Sequence, residues 1–150
     1  MQAKDEAILV IVLVKAWLER DGRFLLARRS ATELQAPSAW ALPGGKVEPR
    51  ECRGILMEEL RREVQEEVGL EIEGDGRLVY DNCFLRADGA FVVGLTFLCR
   101  VKDGDAQALS DTTRVDWFDL QELASFDEAE PWLRIEIDRL LMHYSRFDAC

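Results

Sequence analysis

The sequence predicts an α/β protein in which helices pack on a mixed β-sheet in an α/β/α sandwich. Three observations support this fold class. Apolar segments with strand character occur in both halves of the chain, an amphipathic helical segment lies between them, and a second one lies near the end. The order strands, helix, strands, helix is typical of a layered α/β fold, because each face of a sheet needs a cover.

The first strand segments form a predicted hairpin. Ile8–Leu18 and Arg23–Arg29 have strand character, and the Asp21-Gly22 pair between them suits a tight turn because Gly accepts positive φ. Trp40–Leu42 is a further short strand. The residues after it are Pro-Gly-Gly, and we expect extended structure to break there.

The second half of the chain predicts three more strands and a helix. The strands are Leu78–Leu85, Phe91–Val101 and the short segment Val115–Phe118. From Pro131 onward, apolar residues recur at helical spacing, and Pro is tolerated in the first turn of a helix. The last helix is therefore expected to cover one face of the sheet.

Length and composition fit one domain over residues 1–150. The chain is 48% hydrophobic with only 10 Gly and 4 Pro, so it can build a core without disulfides or structural metal. The formal net charge is −10, from 29 acidic and 19 basic residues. This charge argues against binding nucleic acid on a broad basic surface, but not against a small anionic substrate that arrives with a divalent metal.

Targeting and redox features indicate a cytoplasmic protein. The apolar run 7–14 is too short to span a bilayer and follows acidic residues, so we expect a buried strand and no membrane contact. The cysteines and the one histidine show no zinc-ligand spacing, and we expect reduced, mostly buried thiols and a surface or helix-end histidine. These residues are Cys52, Cys83, Cys99, Cys150 and His143.

The most informative segment is the glycine loop and the helix predicted after it. At about 100° per residue, apolar residues form a core-facing stripe and four glutamates form an acidic face beside it. Arg61 and Arg62 are expected to point elsewhere and to relieve the repulsion only in part. The stripe contains Met57, Leu60, Val64 and Val68, and the acidic face contains Glu59, Glu63, Glu66 and Glu67.

Two interpretations of the acidic face stay open. It is either a solvated helix surface or a site for Mg²⁺ or Mn²⁺, which prefer oxygen ligands. The glycine loop favours the second interpretation, because its backbone can approach a ligand closely just after a strand and before the helix.

This loop and helix resemble the signature of the Nudix hydrolases, G-x5-E-x7-R-E-U-x-E-E-x-G-U, where U is aliphatic. Gly45 is followed after five residues by Glu51, and Arg62–Leu70 matches every fixed position of the second half. Ten residues separate Glu51 from Arg62 where the family has seven, and Arg50 stands where many members have Gly. This insertion of three could lengthen the start of the helix or bulge the loop before it, and it affects the structural role of Glu51.

The resemblance implies the Nudix fold and metal-dependent hydrolysis of a nucleoside diphosphate linked to another group. Glu63, Glu66 and Glu67 would be the catalytic carboxylates and would hold Mg²⁺ or Mn²⁺ together with Gly45. We favour Glu63 as the general base. Asp111 is the other candidate, and the alternative for Asp111 is a plain turn residue.

Two further residues are candidates for substrate binding. Arg29 follows the second strand at a position resembling the arginine that contacts phosphates in MutT-like relatives, and its alternative is a solvated strand end. Glu130 lies where such relatives read the base, and its alternative is a charge at the start of the last helix.

We therefore predict a MutT-like pyrophosphohydrolase that acts on a nucleoside triphosphate or a related diphosphate compound. The alternative is a Nudix-fold binding or regulatory module without hydrolysis. An isomerase on the same fold would need other catalytic residues, typically a Cys and further His or Glu metal ligands, and the single His argues against it. The expected partner is a small nucleotide, a homodimer stays open, and large nucleic acids and membranes are not expected.

Overall fold

The chain alternates strands and helices in the predicted order. The computed structural model describes residues 7–148, with side chains described up to Arg146. Within this range, no helix is long and apolar enough to cross a membrane. The elements are β1 (Val10–Arg20), β2 (Arg23–Arg29), β3 (Trp40–Ala41), β4 (Gly44–Lys46), α1 (Ile55–Val68), β5 (Ile72–Leu85), β6 (Phe91–Val101), β7 (Thr112–Asp119), α2 (Leu120–Ala124) and α3 (Pro131–Asp148).

The strands form a mixed sheet in the order β3-β2-β1-β6-β5, to which β4 is added through β1 and β7 through β2. β1 and β6 run parallel, and the other pairs are antiparallel. β1 and β2 pair beside their turn, where Asp21 and Gly22 have φ angles of 52° and 77°. Two positive φ angles are typical of a type I′ turn, so the predicted hairpin is confirmed.

A helix covers each face of the sheet. α1 packs on one face through a cluster that includes Val14, Leu25, Leu60, Val64 and Val68. α3 packs on the other face through a cluster that includes Trp17, Leu26, Leu133, Ile137 and Leu140. The two clusters follow from strand geometry, because successive side chains of β1 point to opposite faces. The predicted α/β/α sandwich around a mixed sheet is therefore confirmed.

Several predicted strand boundaries are wrong. β1 spans Val10–Arg20 rather than Ile8–Leu18, β5 starts at Ile72 rather than Leu78, and β7 spans Thr112–Asp119 rather than Val115–Phe118. β5 lies at the edge of the sheet and is exposed along most of its length, so its first half lacks the apolar alternation that marks a half-buried strand.

Extended structure breaks at Leu42 and Pro43, close to the expected position, but it resumes at Gly44. Gly44–Lys46 forms β4 and pairs antiparallel with residues 13–15 of β1. A Cβ on Gly44 would lie 2.0 Å from the carbonyl oxygen of Val14, so glycine is required for this close approach of two backbones. The pairing places the loop next to α1.

The expectation that most cysteines are buried is wrong for the part of the chain that the structure describes. Cys99 is buried, whereas Cys52 and Cys83 are exposed. Cys150 lies outside the described residues. His143 is partly exposed on α3.

Candidate active site

One cleft collects most of the predicted site residues. It has a volume of about 210 Å³ and lies among the acidic face of α1, the end of β2 and the segment 110–112. Its lining residues include Glu63, Glu66, Glu67, Arg28 and Arg29. A cleft that presents both signs of charge can hold a cation and an anion together.

The glycine loop touches these carboxylates directly. The backbone N–H of Gly44 donates to Glu67 Oε2 over 3.2 Å. A Cβ on Gly45 would lie 2.5 Å from the carboxyl carbon of Glu63, so a side chain there would collide with that carboxylate. Gly45 therefore leaves the space that Glu63 occupies, while its role as a backbone ligand to metal stays a prediction.

Two of these carboxylates, Glu63 and Glu67, have a raised affinity for protons. Burial is the main cause that raises the pKa of Glu67 to about 8; the Gly44 N–H opposes the rise and the charge of Glu63 adds to it. Burial also raises the pKa of Glu63, against the opposing charge of Arg62. Without a cation, Glu67 therefore holds a proton at neutral pH, and a divalent ion would compete with that proton.

The expectation that Arg62 points away from the acidic face is wrong. Its Nη2 lies 2.5 Å from Glu59 Oε2 and 2.9 Å from Glu63 Oε1, and its Nη1 lies 3.0 Å from Glu66 Oε2. Glu59 is fully buried and also accepts a hydrogen bond from Arg50, and these two arginines lower its pKa. Two arginines thus supply part of the positive charge that the acidic face was expected to meet.

Arg29 and Asp111 both line the cleft, while their roles stay predictions. The guanidinium of Arg29 also contacts the segment after β2, with Nη2 at 3.3 Å from Glu33 Oε2 and Nε donating to the carbonyl of Gln35 over 2.9 Å. The carbonyl of Asp111 accepts from the backbone N–H of Ser30, which joins the segment before β7 to the end of β2. The phosphate-binding candidate and the alternative base therefore share one cavity with the helix carboxylates.

Glu130 does not line this cleft. Glu130 is exposed directly before α3, and its carbonyl accepts a hydrogen bond from the N–H of Arg134 over 2.9 Å. This position fits the alternative interpretation, a charge at the start of the last helix. The sequence pattern did not indicate that Arg28 and Ser110 line the cleft. The Ser110 hydroxyl donates to the carbonyl of Glu66 over 3.1 Å, a contact between distant parts of the chain that no local pattern indicates.

Comparison with known proteins identifies the family of this chain. A model of the NUDIX domain matches residues 9–140. The chain belongs to the Nudix family. The crystal structure of the MutT protein from Methanosarcina mazei Go1 is similar to this Nudix chain, with a TM-score of 0.75 and 26% identity over 90% of this chain and 95% of that one. The family and the Nudix fold expected from the signature are therefore confirmed.

Two relatives carry names that describe an activity. The CTP pyrophosphohydrolase of Escherichia coli K12 is 47% identical over 62 residues, which are 41% of this Nudix chain and 43% of that protein. The ADP-ribose pyrophosphatase of Methanocaldococcus jannaschii is 28% identical over 136 residues, which are 91% of this chain and 73% of that protein. The chain thus spans less than half the length of the first relative.

The Nudix site offers the oxygen donors that a hard divalent ion prefers. In residues 7–148, no three His, Cys, Asp or Glu side chains are placed to hold an ion by themselves. Glu63 and Glu66 instead accept hydrogen bonds from Arg62. Mg²⁺ needs only one or two carboxylates, because it keeps several waters and takes phosphate oxygens from the substrate. The residues therefore fit an ion that binds together with a phosphate substrate.

Proposed function

We propose that this Nudix protein is a MutT-like pyrophosphohydrolase that cleaves a nucleoside triphosphate with Mg²⁺ or Mn²⁺. The observation that carries the proposal is the single cleft lined by Glu63, Glu66 and Glu67 together with Arg29. Carboxylates are ligands for hard divalent ions, and Arg binds phosphate oxygens through its planar fork. A substrate of linked phosphates needs both groups, and the names of the two relatives point to the same substrate class.

In the proposed reaction, residues of this chain hold the substrate and accept a proton. A bound divalent ion would neutralise the phosphates and lower the pKa of a bound water. Arg29 would hold a phosphate oxygen, and Glu63 would accept the proton of the attacking water. The water oxygen bonds to phosphorus, and the bond from phosphorus to the bridging oxygen breaks, its electron pair and that oxygen leaving with pyrophosphate or with the nucleoside monophosphate. Asp111 is the second candidate for the base, because it lines the same cleft.

The size of the cleft supports a substrate recognised mainly through its phosphates. Its volume of about 210 Å³ is below the range of roughly 300–1,000 Å³ that is usual for sites enclosing a whole small molecule. The nucleoside would then extend beyond the cleft. Base reading by Glu130 stays part of the proposal, and Glu130→Gln tests it through the ranking of kcat/KM among the four nucleoside triphosphates.

A nucleotide panel tests the function. The full chain is incubated with Mg²⁺ or Mn²⁺ and with nucleoside triphosphates, deoxynucleoside triphosphates and ADP-ribose, and the products are identified. Glu66→Gln and Glu67→Gln should each lower kcat by about 100-fold or more, because each removes an oxygen from the metal and phosphate site. Glu58→Gln is the matched control, an exposed glutamate on the same helix.

Several outcomes of this panel would overturn the proposal. Unchanged turnover in both Glu66→Gln and Glu67→Gln would remove the site assignment. Nucleotide-induced thermal shifts without turnover across the whole panel would favour a binding module instead. Turnover of ADP-ribose alone would overturn the nucleoside triphosphate as the substrate.

Assembly and cellular location are two further proposals. The edge strand β5 exposes Leu78, Phe84 and Leu85, and an exposed apolar edge suits pairing with a second copy, which sedimentation velocity would detect. A cytoplasmic location agrees with the free, exposed thiols of Cys52 and Cys83.

A further inference from the structure

A buried carboxylate lies beside the cleft on α1. The side chain of Glu59 has no solvent exposure and does not line the cleft. Its Oε1 accepts from Arg50, which precedes the helix, and its Oε2 accepts from Arg62 Nη2 over 2.5 Å. Each oxygen of this carboxylate thus holds an arginine, and such charge-assisted hydrogen bonds are stronger than neutral ones.

Arg62 connects Glu59 to the cleft. Besides its contact with Glu59, Nη2 donates to Glu63 Oε1 over 2.9 Å, and Nη1 donates to the two oxygens of Glu66 over 3.0 and 3.1 Å. A guanidinium is rigid and planar, so anchoring one nitrogen on Glu59 restricts where the remaining N–H groups point. The positions of Glu63 and Glu66 therefore depend on a carboxylate outside the cleft.

We propose that Glu59 is the positioning residue of this site: it anchors Arg62 and, through Arg62, sets the carboxylates of Glu63 and Glu66 for a divalent ion. The inference rests on the metal-binding role proposed above. It also departs from the signature, which would assign the corresponding position to Glu51. Glu51 is exposed and lies before α1, which begins at Ile55.

The local charge balance leads to the same conclusion. Glu59, Glu63 and Glu66 carry three negative charges, and their partners Arg50 and Arg62 carry two positive charges, so the cluster keeps one negative charge that attracts a cation. Without the charge of Glu59, the arginines would balance Glu63 and Glu66. Arg62, which already donates to those two carboxylates, would also lose the charged partner that holds it outside the cleft.

The experiment measures Mn²⁺ affinity of the full chain without any nucleotide, by electron paramagnetic resonance of free Mn²⁺. Glu59→Gln should weaken Mn²⁺ binding about 10-fold or more, as expected when a residue that orients metal ligands is lost. Two matched controls, Glu51→Gln and Glu58→Gln, remove exposed glutamates before and next to Glu59 and should bind Mn²⁺ like the wild type. Thermal unfolding, measured in parallel, shows whether each variant is folded.

Arg62→Lys keeps the test decisive if Glu59→Gln does not fold. Lysine retains the charge but lacks the fork, so it cannot hold Glu59, Glu63 and Glu66 together. It should lose Mn²⁺ affinity by a similar factor. Where both single variants fold, the double variant should lose little more than either, because the two residues act through one connection.

The proposal is overturned if folded Glu59→Gln, or folded Arg62→Lys, binds Mn²⁺ like the wild type. It is also overturned if Glu51→Gln weakens binding as much as Glu59→Gln, or if the losses of Glu59→Gln and Arg62→Lys add. A wild-type protein that binds no Mn²⁺ would instead overturn the metal site of the proposed function, so the two failures are distinguishable.

Discussion

The proton on Glu67 leads to a specific prediction about stability. Burial raises the pKa of Glu67 from 4.5 to about 8, so at neutral pH the folded, metal-free protein holds a proton that the unfolded chain has released. Glu67→Gln removes this titration and keeps the shape of the protonated carboxyl group. Its amide oxygen can still accept from the backbone N–H of Gly44, which now donates to Glu67 Oε2. At low pH, the variant should therefore be about as stable as the wild type.

The direction of the pH dependence follows from the raised pKa of Glu67. Because the pKa is higher in the folded state, the stability that the proton contributes is complete below about pH 4.5 and is lost as the pH rises to about 8. The full rise in the pKa of Glu67, from 4.5 to about 8, corresponds to ~5 kcal/mol. Glu67 is only partly enclosed, so we expect about 2–3 kcal/mol, or roughly 4–12 °C in Tm for a domain of this size.

Calorimetry of chelator-treated wild type and Glu67→Gln between about pH 5.5 and about pH 9 gives the measurement, because the difference between the two proteins removes most other titrations. The variant should become progressively more stable than the wild type as the pH rises. Mn²⁺ should stabilise the wild type most at alkaline pH, where Glu67 is ionised. Parallel stability profiles would refute the reasoning, and so would a wild type that gains stability over the variant with rising pH.

Three further predictions concern other parts of the site and the core. Gly45→Ala should push the carboxylate of Glu63 out of place and lower kcat by about 100-fold while the protein stays folded, and unchanged kcat would contradict the steric argument. Arg29→Ala should raise KM by about 10-fold or more with little change in Tm, since it removes a charged hydrogen bond to phosphate; an unchanged KM would exclude that contact. Lys15→Met should lower the free energy of unfolding by about 2–4 kcal/mol, because it leaves the buried Glu136 without the ammonium now 3.1 Å away. Adding Glu136→Gln should restore much of that loss in denaturant unfolding, and a further loss would contradict the account.

The sequence predicted the parts of the site that depend on local order. The glycine loop, the acidic face of α1 and the position of Arg29 at the end of a strand are each set within a few residues, so local spacing reveals each of them. The pairing of β1 with β2 and with β4 then brings them together. The position of Arg62 was missed because a helical projection places the start of a side chain and not its far end. A long arginine side chain can curve back and place its guanidinium against an acidic face that its Cα does not share.

The burial of Glu59 could not be predicted for a different reason. It depends on Arg50, which reaches the helix from the preceding loop, and the path of that loop is a tertiary property. The early start of β5 was missed because an exposed edge strand carries no apolar alternation. In each case, the missing information is a contact between segments or its absence, which a pattern along one segment does not contain.

The charge that governs the cleft is therefore smaller than the charge that the sequence suggests. Four glutamates form the acidic face, but Arg50 and Arg62 balance two of them and Glu67 holds a proton at neutral pH. One negative charge then remains on this face of α1, and a phosphate that approaches Arg29 meets less repulsion from the helix than four glutamates would give. A divalent ion that arrives with the phosphate would displace the Glu67 proton and increase the negative charge of the helix as its own positive charge enters. The net charge of −10 acts against large polyanions over the whole surface, whereas a small phosphate responds to this local and adjustable balance.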